Sequence, residues 1–136
     1  MRSKSMKILG LDVGQRRIGV AKASDGTVAS FGIVESANLS EAIQKIGQIC
    51  RQEQIEKIVV GLPRYRHTLQ ADKIHKFALE LAKNLAMAVE FVDETLTSKE
   101  AERLLAESGL NPKSKKFKEE VDKLSAKMIL EQYLNQ

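Results

Sequence analysis

The sequence predicts an α/β fold in which a mixed five-stranded sheet is flanked by helices, and three observations lead there. Residues 7 to 35 hold three strand-like runs joined by short turns. Two later β-branched runs each follow an apolar pattern of helical spacing. The remainder is helical in pattern, with no further strand signal.

Taken in order, Lys7 to Val13, Ile18 to Ala23 and Val28 to Glu35 are the strands, with Gly14-Gln15-Arg16-Arg17 and Ser24-Asp25-Gly26 as turns. Connections this short join only antiparallel neighbours, so the three form a meander. Asn38 or Ser40 then caps a helix in which Ala42, Ile43, Ile46, Ile49 and Cys50 recur on one face, leading into the fourth strand at Lys57-Ile58-Val59-Val60. After a loop opened by Pro63, a second helix from about Leu69 to Leu85 buries Ile74, Phe77, Ala78, Leu81 and Leu85 and delivers the chain to a fifth strand, Val89 to Val92. Thr97-Ser98-Lys99-Glu100 has the form of a capping box, opening a third helix that ends at Gly109. Asn111-Pro112 breaks the chain, a lysine-rich loop follows, and a last helix runs from about Phe117 to Leu134. Both crossovers are long enough to place strands four and five parallel to strand one.

The 136 residues fit one domain, 1 to 136, with Met1 to Ser5 expected to be a disordered or appended tail before a second methionine. Hydrophobic residues at 43% and charged residues at 29% exclude a disordered or collagen-like chain. No apolar run reaches the roughly 18 residues of a membrane span, and Asp12 interrupts the stretch that could have served as a signal sequence, so a cytoplasmic protein is expected. The net charge of +4 is compatible with a phosphate-bearing partner without requiring one. Cys50, the single cysteine, lies in register with Ile43 and Ile46 and is expected to be a buried thiol, and two unspaced histidines leave no zinc pattern.

Chemistry is expected where the parallel strands finish, because loops and helix N-termini converge there. That edge collects Asp12-Val13-Gly14, Gly61-Leu62-Pro63-Arg64 and Asp93-Glu94-Thr95, with Arg16, Arg17 and Arg66 nearby. A carboxylate in the apolar strand containing Ile8 to Val13 carries a desolvation cost that something must offset. Asp12 either caps its own turn or pairs with Arg16, or it holds a hard cation such as Mg²⁺. Of Asp93 and Glu94, which point to opposite faces, at most one shares a pocket with Asp12. Asp122 lies on a helical stripe with Ser125, Ala126 and Ile129 and is a third candidate. Arg64 and Arg66 flank Tyr65, which could stack on a base. His67 and His75 are expected to be solvated, and neither glycine-loop nucleotide motif is present.

Leu11-Asp12-Val13-Gly14-Gln15-Arg16-Arg17-Ile18-Gly19-Val20-Ala21, Val60-Gly61-Leu62-Pro63, Val92-Asp93-Glu94-Thr95-Leu96-Thr97 and Val121-Asp122-Lys123-Leu124-Ser125-Ala126 with Ile129-Leu130 resemble, in order, the motifs of the YqgF (RuvX) family. The resemblance covers nearly the whole chain from Met6. It implies an RNase H-like fold related to the Holliday junction resolvases, and a nuclease that processes the 5′ end of the 16S ribosomal RNA precursor. Asp12, Glu94 and Asp122 fall on the family's acidic positions, which implies one catalytic site holding Mg²⁺ or Mn²⁺. Two departures bear on substrate recognition: Thr95 stands where the family usually has arginine, and the loop Arg64 to Thr68 is short and lacks glycine.

The expected reaction is phosphodiester hydrolysis, with Arg16, Arg17, Arg64 and Arg66 guiding the nucleic-acid backbone. The expected partner is structured RNA, namely pre-16S rRNA, or branched DNA, with no membrane and at most a weak homodimer. The rival functions are a non-catalytic RNA-binding factor of ribosome assembly and a junction resolvase acting on DNA. An actin-like ATPase, whose phosphate loop resembles Asp12-Val13-Gly14, is set aside because that architecture needs two such domains.

Overall fold

A computed structural model describes residues 6–63, 69–93 and 97–136. The elements run β1 (Lys7–Val13), β2 (Arg17–Ser24), β3 (Thr27–Glu35), α1 (Leu39–Glu53), β4 (Lys57–Leu62), α2 (Leu69–Leu85), β5 (Ala88–Asp93), α3 (Thr97–Ala106) and α4 (Lys115–Leu134). They build one sheet in the order β3-β2-β1-β4-β5. The β1–β2 and β2–β3 pairs are antiparallel, whereas β1–β4 and β4–β5 are parallel, as the short and long connections require. The β2–β3 hairpin closes through Asp25 and Gly26 at φ 56° and 81°, the two left-handed positions that a tight hairpin turn demands.

Strand alternation divides the core into two layers. Leu9, Leu11, Ile18, Val20, Ile58 and Val60 pack beneath α1 and α2, while Ile8, Ala21, Ala23, Val59 and Val92 pack beneath α4. Each fully buried Leu or Ile in these layers contributes roughly 1.5–3 kcal/mol of transfer free energy. Helix α1 starts where Asn38 accepts the Glu41 N–H at 2.9 Å, and Glu41 in turn accepts the Ala37 N–H at 2.9 Å. Helix α4 packs on all five strands. Two glycines let it approach: a Cβ on Gly10 would stand 2.4 Å from Leu130 Cγ, and one on Gly19 would stand 2.0 Å from the carbonyl oxygen of Asp122.

Two local expectations are corrected. Helix α3 stops at Ala106, short of Gly109, because the Ser108 N–H and hydroxyl both turn back to the Leu105 carbonyl. Helix α4 begins at Lys115 because Ser114 accepts the Phe117 N–H at 3.1 Å, so Lys115 and Lys116 lie on its first turn rather than in a loop. At the start of α3, the Glu100 carboxylate accepts from Arg103 at 2.6 Å, while the Thr97 side chain lies outside the described residues. Cys50 is buried on α1 as expected, and His75 is exposed, its ring 4.8 Å from that of Phe91. No helix among the described residues is long and apolar enough to cross a membrane.

Candidate functional site

Asp12 sits next to the last residue of β1, half-buried, and pairs directly with Gly19 of β2. Directly paired residues share a face of the sheet. Gly19 faces α4 at the backbone of Asp122, so Asp12 and Asp122 are brought to the same face at the same place. The absent side chain at position 19 is what allows this, since any Cβ would collide with the helix backbone.

Arg17 lies two residues before Gly19 on the same strand face, and its Nε donates to Oδ2 of Asp122 at 3.1 Å. Both side chains retain about a quarter of their exposure, 25% each, so the pair is partly screened by solvent. Burial pushes the Asp122 carboxyl above its ordinary value near 3.8. Arg17 opposes that shift, and the Glu119 carboxylate adds to it. Arg17 is the one cation that opposes the effect of burial on this acid.

Arg16 is exposed in the β1–β2 turn, which closes with the Gly14 N–H donating to the Arg17 carbonyl at 2.9 Å. The two arginines therefore part company: Arg17 points to the α4 side and engages Asp122, while Arg16 lines a groove on the other side of the sheet. Glu94, Arg64 and Arg66 lie outside the described residues, as do Tyr65, His67 and Thr95. Asp93 is described. It pairs with Leu62, which packs on the α1/α2 core, so Asp93 is on the face opposite Asp12.

Two hard oxygen donors on one rigid face suit Mg²⁺ or Mn²⁺ rather than a soft metal. Among the described residues no group of three His, Cys, Asp or Glu side chains could hold a metal ion, so a complete site needs a donor from beyond them. The partnership of Arg17 with Asp122 and the role of Gly19 were missed by sequence reasoning. A glycine inside an otherwise well-formed strand, as at positions 10 and 19, is the one signal that could have revealed the close approach.

Comparison with known proteins agrees with this architecture. The chain is 37% identical over 135 residues to a Syntrophomonas wolfei protein named "Putative pre-16S rRNA nuclease", covering 96% of this chain and 94% of that one. A Caldanaerobacter subterraneus protein of the same name is 38% identical over 135 residues, with 96% of each chain covered. Among solved structures, Thermus thermophilus RuvC in complex with a Holliday junction substrate superimposes with a TM-score of 0.57 at 14% identity, covering 96% of this chain and 95% of that one. The fowlpox virus Holliday junction resolvase gives 0.55 at 13% identity, with 95% and 97% covered. These two likenesses establish an RNase H-like, RuvC-type fold. The family model described as RuvX, Holliday junction resolvase, matches residues 6–136, and the chain belongs to that family.

Proposed function

We propose that this protein is a metal-dependent nuclease that hydrolyses phosphodiester bonds, with the precursor of 16S ribosomal RNA as its substrate in a cytoplasmic setting. The observation that carries the reading is the convergence of Asp12 and Asp122 on one face of the sheet at Gly19. The substrate is taken from the names of relatives aligned along almost the full chain.

In this reading Asp12, Asp122 and Glu94 supply carboxylate oxygens to Mg²⁺ or Mn²⁺. A divalent ion held by these residues would supply activation of water and charge neutralisation at the scissile phosphate. Glu94 is favoured over Asp93 because Asp93 belongs to the far face. Asp12, on a strand paired on both sides, fixes its donor in place, whereas Asp122 rides on a helix whose height is set by Gly10 and Gly19. Arg17 favours the charged form of Asp122 against the effect of burial, and Arg16, Arg64 and Arg66 guide the nucleic-acid backbone. No histidine or serine nucleophile is required. Asp12→Asn is expected to abolish Mn²⁺-dependent cleavage of a precursor-rRNA end while leaving the circular dichroism spectrum and melting temperature unchanged. Full cleavage by the purified variant would refute the proposal.

One observation favours a second reading, in which the protein binds RNA without cutting it: Oδ2 of Asp122 is already engaged by Arg17. Isothermal titration with Mn²⁺ separates the two. Binding that disappears in Asp12→Asn supports the nuclease, and no binding to the wild type supports the assembly factor. The family's description keeps a DNA junction in play, so matched precursor-rRNA and four-way-junction substrates decide between RNA and DNA.

A further inference from the structure

On the side of the sheet away from Asp12 and Asp122, the first halves of α1 and α2 border an opening at the end of β1 and the start of β2. The gap is a groove of about 970 Å³, at the upper end of the roughly 300–1,000 Å³ typical of ligand clefts. Ile18 and Phe77 form its buried floor, Val13 and Leu39 give it accessible apolar surface, and Arg16 of the β1–β2 turn stands at its mouth.

The charges of the groove do not balance. Both of its acids are engaged: Glu41 accepts from Ala37 and lies 3.6 Å from Lys45 Nζ, and Glu35 lies 3.6 Å from Lys115 Nζ. Lys45 also donates to the Glu35 carbonyl at 2.6 Å. Arg16, Lys73 and Lys76, all exposed, have no carboxylate partner among the described residues. Lys73 and Lys76 are one helical turn apart on α2 and line the same wall. The N-terminus of α1 is not invoked as an anion site, since Asn38 already caps it through the Glu41 N–H.

We propose that this groove takes a single RNA strand continuing from the acidic edge around the β1–β2 turn, with phosphates against Arg16, Lys73 and Lys76 and bases against Val13 and Leu39. The inference rests on the reading of the protein as a nuclease or binder of RNA and adds where the substrate goes beyond the acidic face. Three arguments select the occupant. The cations without partners call for a polyanion. A groove of about 970 Å³ has the size of a small-molecule cleft, which gives room for part of one strand but not for a duplex. The groove also starts at the residues that follow Asp12 in the chain, so a strand crossing the acidic edge needs only to pass Gly14 and Arg16 to enter it.

The test is fluorescence anisotropy of a labelled 20-nucleotide single-stranded RNA in EDTA, where no cleavage is read. Lys73→Gln/Lys76→Gln is expected to weaken binding about tenfold and to flatten the slope of log K against log salt by about 1.4, the value for two phosphate contacts on a single strand. Arg51→Gln/Lys83→Gln removes the same charge from the last turns of the same two helices and is expected to bind like the wild type. Equal weakening by both double variants would reduce the effect to net charge and overturn the proposal. Wild-type binding by Lys73→Gln/Lys76→Gln would also overturn it and leave the groove to a protein segment. Because the assay contains no metal, its failure is distinct from failure of the nuclease reading, which Asp12→Asn tests.

Discussion

Arg17 and Asp122, 105 residues apart in sequence, meet at 3.1 Å, and this contact joins β2 to α4 beside the acidic edge. The cation favours the charged form of the acid, against the larger effect of burial. Arg17→Gln is expected to raise the Asp122 carboxyl further above its ordinary value, because burial and Glu119 then act unopposed. Carboxyl-detected NMR titration of the wild type and variant measures the change directly. The loss of stability is expected to be about 1 kcal/mol or less, given that both groups are partly solvated.

Asp122 also sets a sign for the pH dependence of stability. Its folded-state value lies above the unfolded one, so its contribution is favourable when protonated, fully present below about 3.8, and lost as the pH rises through the higher folded value. Arg17→Gln should deepen that loss. Urea denaturation at pH 3.5 and 6 is expected to show a larger drop on going to pH 6 in the variant than in the wild type, and an equal or smaller drop would contradict the role given to Arg17.

Gly19→Ala places a methyl group where the Asp122 carbonyl stands. Backbone cannot yield as a side-chain tip can, so a destabilisation of about 1–3 kcal/mol is expected from overpacking. Nuclease activity should fall by more than the unfolded fraction accounts for, because α4 and its acid are displaced together. Activity measured well below the melting temperature, alongside a thermal melt, checks both.

Ser125 is fully buried on α4, and its hydroxyl finds no hydrogen-bond partner among the described residues. An unsatisfied buried hydroxyl costs roughly 1–3 kcal/mol. Ser125→Ala is therefore expected to be more stable than the wild type by about 1 kcal/mol in urea denaturation, and a less stable variant would show that the hydroxyl has a partner.

Burial pushes the Cys50 thiol from 9.0 up to about 11, with Arg51 pulling weakly the other way. Its contribution to stability is fully present below pH 9 and is lost as the pH climbs through 11. A thiol reagent is expected to label the native protein at pH 8 far more slowly than the protein in urea. The stability difference between wild type and Cys50→Ala should shrink between pH 9 and 11.

Much of the scaffold was legible in the chain because local signals agreed with one another. The boundaries of β1 and α2 match their patterns, and the directions of all five strands follow from connection lengths, whereas the place of β4 and β5 beside β1 does not. The start of α4 was misjudged because four lysines between 113 and 118 suggested solvated loop, whereas Ser114 caps the helix despite the absence of acids in its first turn. At the site, the strand position marked Asp12 as unusual, and the family's motif pointed to Asp122. What could not be read was the partner of Asp122, since nothing local to either residue encodes a contact across the whole chain. The groove was missed for a related reason: Lys73 and Lys76 look like ordinary solvated helix residues until α1 is seen to leave space beside them.

The two strand glycines imply a way in which this protein can be tuned. Because α4 rests on bare backbone at positions 10 and 19, the gap between the carboxyl-bearing helix and the sheet depends on atoms that are missing. A single added methyl would act as a shim, tilting the helix and spreading the acids without altering any of them. Variation at these two silent positions would therefore change the geometry of the proposed cation site, while every acid stays the same.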